Sequence, residues 1–450
     1  MTEIIKKKNN LNEKITGKIT TPMKILRFMA SAVLKKYKPR VIAVTGSVGK
    51  TSSKDAIFAV LNGRFRARKS EKNYNNEIGA PLTIVGAESG GKSLFKWGVV
   101  FLKWLGLIIF PVKYPEILIL EMGTDRLGDL KYLTDFIKPN IAVLTEVSSS
   151  HLEYFKSIEA ILKEKSTIIR ALDEKGLAIV NADNPRIAKL KDNSRQNGIV
   201  AEIFSFGFSE TADARAMDVF LNCCEKDMPG GLSFKLNYKG TTMPMRLNNI
   251  LARHNIYAAL AGVSVGIGLG MNLVEIGANL ENFSLPAGRM NLIKGIKNSF
   301  IIDDTYNSSL VSASSALEVL RALKQNRKIA VLGDMLELGA HTKSDHRMLA
   351  KKFLEIEGDI FFAVGKRMKF AAEELKKRRF SGEIYEFSNP AEAGKKLQEI
   401  LRAGDAILVK GSQAIRMEKI VEEIMAEPQK AEKLLCRQNA EWKKKEWKEV

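Results

Sequence analysis

The chain has few of the side chains from which disulfide frameworks and zinc sites are built. It carries three cysteines (Cys223, Cys224, Cys436) and four histidines in 450 residues. Three dispersed cysteines cannot make a disulfide framework and suit a reducing compartment. So few dispersed ligands also argue against a Cys/His zinc site. Met1 is followed by a polar, lysine-rich stretch rather than a secretory leader, so the cytoplasm is the expected location. The longest apolar run, WGVVFLKWLGLIIFPV at 97–112, is interrupted by Lys103 and stopped by Pro111. It falls short of the ~20 apolar residues that a spanning helix needs. It reads instead as a core helix, a partner surface or a membrane-surface anchor.

Positive charge is in excess: 71 Lys and Arg against 51 Asp and Glu, a net +20. Such a balance fits a polyanionic small molecule or an anionic lipid. No RNA-binding aromatic motif or zinc finger accompanies it, so nucleic acid is not an expected partner. Much of the excess lies at 1–40 and in the tail EWKKKEWKEV at 441–450. Runs of this kind usually form solvated faces or chain ends.

Residues 22–37 read as a basic amphipathic helix. A strand–loop–helix unit follows, with VIAVTG at 41–46 as the strand. Further apolar runs end in polar residues at 116–123, 140–147 and 176–183, each followed by a loop or helical pattern. That alternation predicts an α/β sheet covered on both faces. Residues 200–250 are β-rich and irregular. After LPAGR (285–289) the rhythm restarts, with strands expected at 300–305, 328–334, 359–365 and 405–411. The expected division is a basic helical segment at 1–40, a central domain at 41–285 with an apolar insert at about 92–115, a C-terminal domain at 286–426 and a charged tail at 427–450.

VTGSVGKTS at 44–52 carries the clearest chemistry. A strand delivers a glycine-rich turn that opens a helix, so the backbone N–H groups of Gly46, Ser47, Val48, Gly49 and Ser52 can cradle phosphates. Lys50 would reach the β/γ-phosphates and Thr51 would offer its hydroxyl to Mg²⁺. Only two residues separate Gly46 from Gly49, fewer than in the common phosphate loop. Glu121 ends the run ILIL, where an α/β sheet places its ligands. His151 follows another strand end. Asn73, Asn75 and Asn76 suit turn formation or ligand contact.

A different anomaly lies in SIEAILKEKSTIIRAL at 157–172. Its apolar positions share one helical face, and the same spacing puts Lys165 on that face. A buried, unpaired ammonium is costly, so Lys165 is expected to be paired, neutralised, modified, or snorkelling at the edge.

TGSVGKTS, NYNNEIGAPLT, EMGTDRLGDL, HLEYF…KEKS, NADNPR, RHNIYAALA, PAGR, IIDDTYN, VLGDMLELG and VKGSQAIRMEKIV occur in that order over residues 41–425. Together they resemble the ATP-dependent Mur ligases, nearest the branch that adds D-alanyl-D-alanine to a UDP-N-acetylmuramoyl-tripeptide. The resemblance implies a phosphate-loop central ATPase domain with a mainly parallel sheet, then a Rossmann-like α/β domain. It implies amide ligation through an acyl phosphate in peptidoglycan synthesis, with ATP and two Mg²⁺. Thr51 and Glu121 match ligands of one ion. His151 and Lys165, the latter carrying a CO₂-derived carbamate, match ligands of the second. Asn255 matches an adenine contact, and Arg289 an arginine that reaches phosphate on domain closure. Asp303 or Asp304 would hold the ribose, with Tyr306 near the base. Asp334, Glu337, His346, Lys410, Ser412 and Arg416 are candidates for positioning the dipeptide.

Two departures keep other readings open. Only 45 residues precede Gly46, too few for the N-terminal domain that holds the UDP end in this branch. The segments 22–37 and 97–112 stand in that neighbourhood and suit a peripheral membrane or cell-wall-enzyme contact. The alternatives are a ligase of another carboxylate–amine pair (polyglutamate, cyanophycin-like or modified muropeptide) and a non-catalytic ATP-binding scaffold for cell-wall enzymes.

Overall fold

Short apolar strands alternating with helices build two parallel sheets, each with its own core. The computed structural model describes residues 20–443, except 72, 73, 125, 149–154, 156, 193, 224–228 and 326. The chain divides into two compact units. One comprises Met1–Val219, Ser233–Leu247 and His254–Phe283, the other Phe220–Leu232, Asn248–Arg253 and Ser284–Val450. The sequence suggests one cut near residue 285. The second unit also takes two earlier stretches, of which only the first carries a Pro–Gly–Gly run, at 229–231.

The first unit begins with helix α1 (Thr21–Tyr37), then β1 (Arg40–Thr45), α2 (Lys50–Asn62), β2 (Ala67–Lys69), α3 (Gly79–Val85) and α4 (Leu94–Ile109). It continues through β3 (Ile117–Glu121), α5 (Asp129–Thr134), β4 (Ile141–Leu144), α6 (Ile158–Lys165), α7 (Thr167–Arg170), β5 (Leu177–Asn181), α8 (Pro185–Asp192) and β6 (Glu202–Gly207). Strands β7 (Ala214–Cys223), β8 (Pro229–Tyr238) and β9 (Thr241–Asn248) follow, then α9 (Ile256–Gly268) and α10 (Leu273–Leu280). In α1, Pro22 starts the helix and Lys38 ends it in the left-handed conformation, with φ of 47°. Its buried residues Leu26, Met29, Ala30 and Val33 form one stripe at helical spacing.

The nine strands run in the order β2-β3-β1-β4-β5-β6-β7-β8-β9. All pairs from β2 to β6 are parallel. Lys239 and Gly240, both at positive φ (48° and 78°), make the two-residue turn between β8 and β9. From β1 the chain runs to the edge strand β2, returns to β3 beside β1, then crosses to β4 on the other side of β1. That reversal opens a crevice beyond the carboxyl end of β1, the usual place for a ligand in such sheets.

The second unit holds β10 (Asn291–Lys294), β11 (Phe300–Asp304), α11 (Leu310–Ala322), β12 (Lys328–Gly333), α12 (Thr342–Glu355) and β13 (Ile360–Val364). It ends with α13 (Lys369–Lys377), β14 (Glu383–Phe387), α14 (Pro390–Ile400), β15 (Ala406–Lys410) and α15 (Glu418–Ile424). Its six strands run β10-β11-β15-β12-β13-β14, parallel except for the edge strand β10. Strands β11, β15, β12 and β13 are buried along their length or nearly so, which explains their continuous Val/Ile/Leu/Phe runs. Residues beyond 426, set apart in the sequence as a charged tail, add Ala431 and Leu435 to this core. Their apolar positions are too short a pattern to stand out between charges.

Phe362 on β13 is fully buried, with ring centroids 4.9 Å from Tyr385 and 5.7 Å from Phe387. Phe362→Ala should cost about 3–5 kcal/mol of stability in urea unfolding of the second unit's transition. A loss under ~1 kcal/mol would mean that the pocket collapses.

Candidate active site

Four adjacent strands bring the first unit's polar groups to one edge. Each lies at or just past a carboxyl end: the loop 46–49 after β1, Glu121 on β3, Thr145 and Glu146 after β4, and Asn181 on β5. Gly46 is required by close approach, because a Cβ there would lie 2.0 Å from Thr145 Oγ1. Gly49 is required by its backbone, with φ of 85° at the helix N-cap. The loop is tied to β4's end by Ser47 N–H donating to Glu146 O (2.7 Å) and Thr145 Oγ1 donating to Val48 O (2.6 Å). Lys50 Nζ folds back onto Gly46 O at 2.8 Å. Its ammonium therefore sits over the N–H-rich turn.

Glu121 is 3% exposed. Thr51 Oγ1 donates to its Oε2 (3.0 Å), Asn75 Nδ2 to its Oε1 (3.2 Å), and Lys54 Nζ lies 3.7 Å from Oε2. Parallel register opposite Val44 puts it level with the last turn of β1. A helix-opening hydroxyl and a strand-end carboxylate are hard oxygen donors, a fit for Mg²⁺. Among the described residues no group of three His, Cys, Asp or Glu side chains is assembled for a metal. Mg²⁺ does not demand such a cage, since it usually keeps waters and phosphate oxygens. His151 and Asn73 lie outside the described residues.

Lys165 is 2% exposed at the end of α6, on the packed side as its spacing indicates, while Lys163 is exposed. Ser166 breaks the expected continuous helix into α6 and α7. The adjoining Glu164 accepts the Gly128 and Leu130 N–H groups, both at 3.0 Å, at the start of α5. Burial raises its pKa against these bonds and the nearby Lys165 charge.

Several participants were not singled out in the sequence. Lys54 is buried and donates to Ser70 O at 2.9 Å, one helical turn beyond Lys50. Glu146, with its pKa raised by burial, is held by Asn181 Nδ2 (3.4 Å) and by Asn184 Nδ2. Both asparagines lie in the run NADNPR, which carried the signal. Asn76 is committed to capping α3, its Oδ1 accepting Gly79 N–H at 2.9 Å. Asn255 precedes α9 and is buried, with its Nδ2 lacking a hydrogen-bond partner.

The second unit uses the same edge of its own sheet. Arg289 lies over the Tyr306 ring, 4.1 Å from its centroid. Asp304 Oδ2 accepts from Lys410 Nζ at 2.6 Å, across the β11–β15 pair. Asp303 is fully buried, and its Oδ2 has no partner. Most of the remaining candidates make internal bonds. Asp334 Oδ1 accepts Arg367 and Met368 N–H at 3.0 and 2.7 Å, while burial raises its pKa. His346 Nε2 accepts Met335 N–H at 3.1 Å and Nδ1 meets Thr342 O at 2.6 Å. That ring is neutral by burial, its pKa lowered. Ser412 Oγ accepts Leu336 N–H at 2.9 Å, Arg416 pairs with Glu418, and Glu337 is exposed at φ of 63°.

Two family models match the chain. The Mur ligase middle domain matches residues 105–266, and the Mur ligase glutamate ligase domain matches 288–413. The chain belongs to the Mur ligases. It is 29% identical over 404 residues to the UDP-N-acetylmuramoyl-tripeptide–D-alanyl-D-alanine ligase of Bacillus subtilis, covering 90% of this chain and 79% of that protein. Against the Escherichia coli enzyme of the same name it is 28% identical over 396 residues, 87% and 78% of the two chains. Among solved structures, MurF from Acinetobacter baumannii superposes with a TM-score of 0.74 at 25% identity, over 89% of this chain and 80% of that one. Thermotoga maritima MurF ligase in complex with ADP gives 0.69 at 25% identity, over 91% and 84%.

Burial holds the Asp303 carboxyl's pKa up at about 6 against two hydrogen bonds from Thr305. An unfolded aspartate releases its proton near pH ~4. The folded chain thus holds an extra proton between about pH 4 and 6, and this contribution to stability falls as pH rises through that window. Asp303→Asn should remove that part of the slope, about 3 kcal/mol at most, in urea titrations at pH 4, 5, 6 and 7. An unchanged slope in the variant would assign it elsewhere.

Proposed function

We propose that this chain is an ATP-dependent amide ligase that joins D-alanyl-D-alanine to a UDP-N-acetylmuramoyl-tripeptide. The observation that carries the reading is the buried Glu121 carboxylate gripping the Thr51 hydroxyl beside Lys50 at the carboxyl edge of the sheet. The relatives that match most of its length are named for that reaction.

The tripeptide's terminal carboxylate attacks the γ-phosphorus of ATP. The bond to ADP breaks and an acyl phosphate forms. The dipeptide's amine attacks the acyl carbon, phosphate leaves, and the nitrogen loses a proton. Negative charge gathers throughout, so positioning and electrostatics supply the catalysis. The N–H groups of 46–51 at the start of α2 receive the phosphates. Lys50 swings from Gly46 O to neutralise their β/γ oxygens. Following the resemblance, Asn255 is assigned to adenine, Asp303 or Asp304 to the ribose hydroxyls and Arg289 on Tyr306 to phosphate; the lack of a partner at Asn255 Nδ2 and Asp303 Oδ2 agrees with those roles. Mg²⁺ at Thr51 and Glu121, with a second ion at His151 and a carbamate on Lys165, would supply further neutralisation of phosphate charge.

Phosphate release by the purified protein should need the UDP-muramoyl-tripeptide and D-Ala-D-Ala together, with the pentapeptide identified by mass spectrometry. Turnover with another carboxylate–amine pair alone would move the substrate, and absence of turnover with any pair would favour a scaffold. Lys50→Met should lower kcat by about 100-fold or more. Lys165→Ala should also lose activity and regain part of it with added formate or acetate. Full activity of Lys165→Ala would remove the carbamate.

A further inference from the structure

Helix α4 is apolar almost all the way round, which is unusual for a surface helix. One face docks. Trp97, Val100, Trp104 and Leu107 pack against Leu26, Met29, Leu82 and Val85 from α1 and α3. Polar clips fix this pose. Trp104 Nε1 donates to Met29 O at 3.0 Å, and Lys36 Nζ reaches the last carbonyls of α4, Leu107 O and Ile108 O, both at 2.9 Å. The helix is therefore held firmly from one side only.

The other face projects Leu94 (87% exposed), Phe95 (82%), Leu102 (66%), Val99 and Ile109. Phe28 on α1 (65% exposed) and Phe110 extend it. A typical monomer's largest apolar patch is about 300–600 Å² and often functional. This one is built from consecutive large side chains. The segments that build it carry one sign of charge. No Asp or Glu occurs between Glu88 and Glu116, or between Glu13 and Asp55. Lys92, Lys96, Lys103 and Lys113 lie in the first stretch, and Lys24 and Lys35 stand exposed on α1.

We infer that α4, flanked by α1, docks this protein in the plane of an anionic phospholipid surface, with Leu94, Phe95 and Leu102 entering the headgroup–acyl boundary. Apolar residues rimmed by lysine and free of carboxylates match the chemistry of that surface, which offers hydrocarbon beneath phosphate. A protein partner would have to bring the phosphate-like charge as well as the apolar face. Sixteen residues at 1.5 Å each span about 24 Å, short of the ~30 Å hydrocarbon core. Among the described residues no helix is long and apolar enough to cross a membrane. The helix lies on the surface rather than through it. This inference is independent of the ligase reading.

The test is co-sedimentation of the full chain with vesicles of phosphatidylglycerol and phosphatidylcholine, and with phosphatidylcholine alone. Binding should need the anionic lipid, weaken with salt, and fall at least tenfold in the exposed triple variant Leu94→Ser/Phe95→Ser/Leu102→Ser. Circular dichroism and ligase turnover check that this variant stays folded. Charge reversal at Lys92, Lys96 and Lys113 should also release the protein. No binding by the full chain at low salt, or unchanged binding by the triple variant, would overturn the inference. A dimer in sedimentation velocity that the triple variant abolishes would assign the face to a second copy instead. Binding that appears only after removal of residues 2–19 would assign it to that segment. Both outcomes would overturn the lipid inference.

Discussion

A carboxylate taken out of water must find compensation, and much of the first unit's edge answers to that requirement at Glu121. Its partners come from separate parts of the chain. Thr51 and Lys54 lie on successive turns of α2, and Asn75 in the loop before α3. Ser70 Oγ accepts the Glu121 N–H at 3.2 Å, while Ser70 O takes the Lys54 ammonium. These contacts can coexist only if β1 and β3 are parallel neighbours in the observed register, with α2 starting at the end of β1. A one-residue slip would turn Glu121 to the other face of the sheet. The carboxylate is thus a check on the fold as well as part of the site.

Both units place their polar groups at the carboxyl ends of parallel strands, but they use them differently. In the second unit Asp304, Asp334, His346, Ser412 and Arg416 are spent on internal bonds that fasten loops together. Arg437, from the chain beyond 426, pairs with Glu418 and also donates to Thr305 O and Tyr306 O. The loop carrying Tyr306 is therefore braced by a segment far away in sequence. Asp303 Oδ2 is one of several buried polar atoms left without a partner in this unit, as the Asn255 amide is in the first.

What was legible in the sequence was what repeats locally. Buried parallel strands read as unbroken apolar runs, so β1, β3, β4, β5, β11, β12, β13 and β15 were visible, as was the glycine-rich turn before α2. The ordered motifs picked out Lys50, Thr51, Glu121 and Lys165. The rest depended on partners remote in sequence. Lys54 looks like any helix lysine until Glu121 lies beside it. Asn76 and His346 carry side chains that suit ligands equally well, and their backbone partners could not be read from the sequence. The second unit's earlier stretches were not recognised as part of it either, because short segments of 13 and 6 residues carry no periodicity of their own.

Three lysines, Lys54, Lys165 and Lys410, are each 2% exposed. Lys54 ends on Ser70 O with Glu121 nearby. Lys410 ends on Asp304 and on Asn307 O at 2.8 Å. In both, a carboxylate and a carbonyl share the ammonium, the ordinary means of keeping a cation inside a protein. The carboxylate beside Lys165 is Glu164, and both its oxygens already accept backbone N–H groups of the turn into α5. Those bonds give Glu164 a structural duty that does not depend on its neighbour. A carbamate at Lys165 would exchange the cation's need for acceptors for an anion's need for donors or a metal. Burial alone does not separate Lys165 from Lys54 and Lys410; it is the resemblance of its segment to the Mur ligases that assigns the proposed modification to Lys165 and not to them.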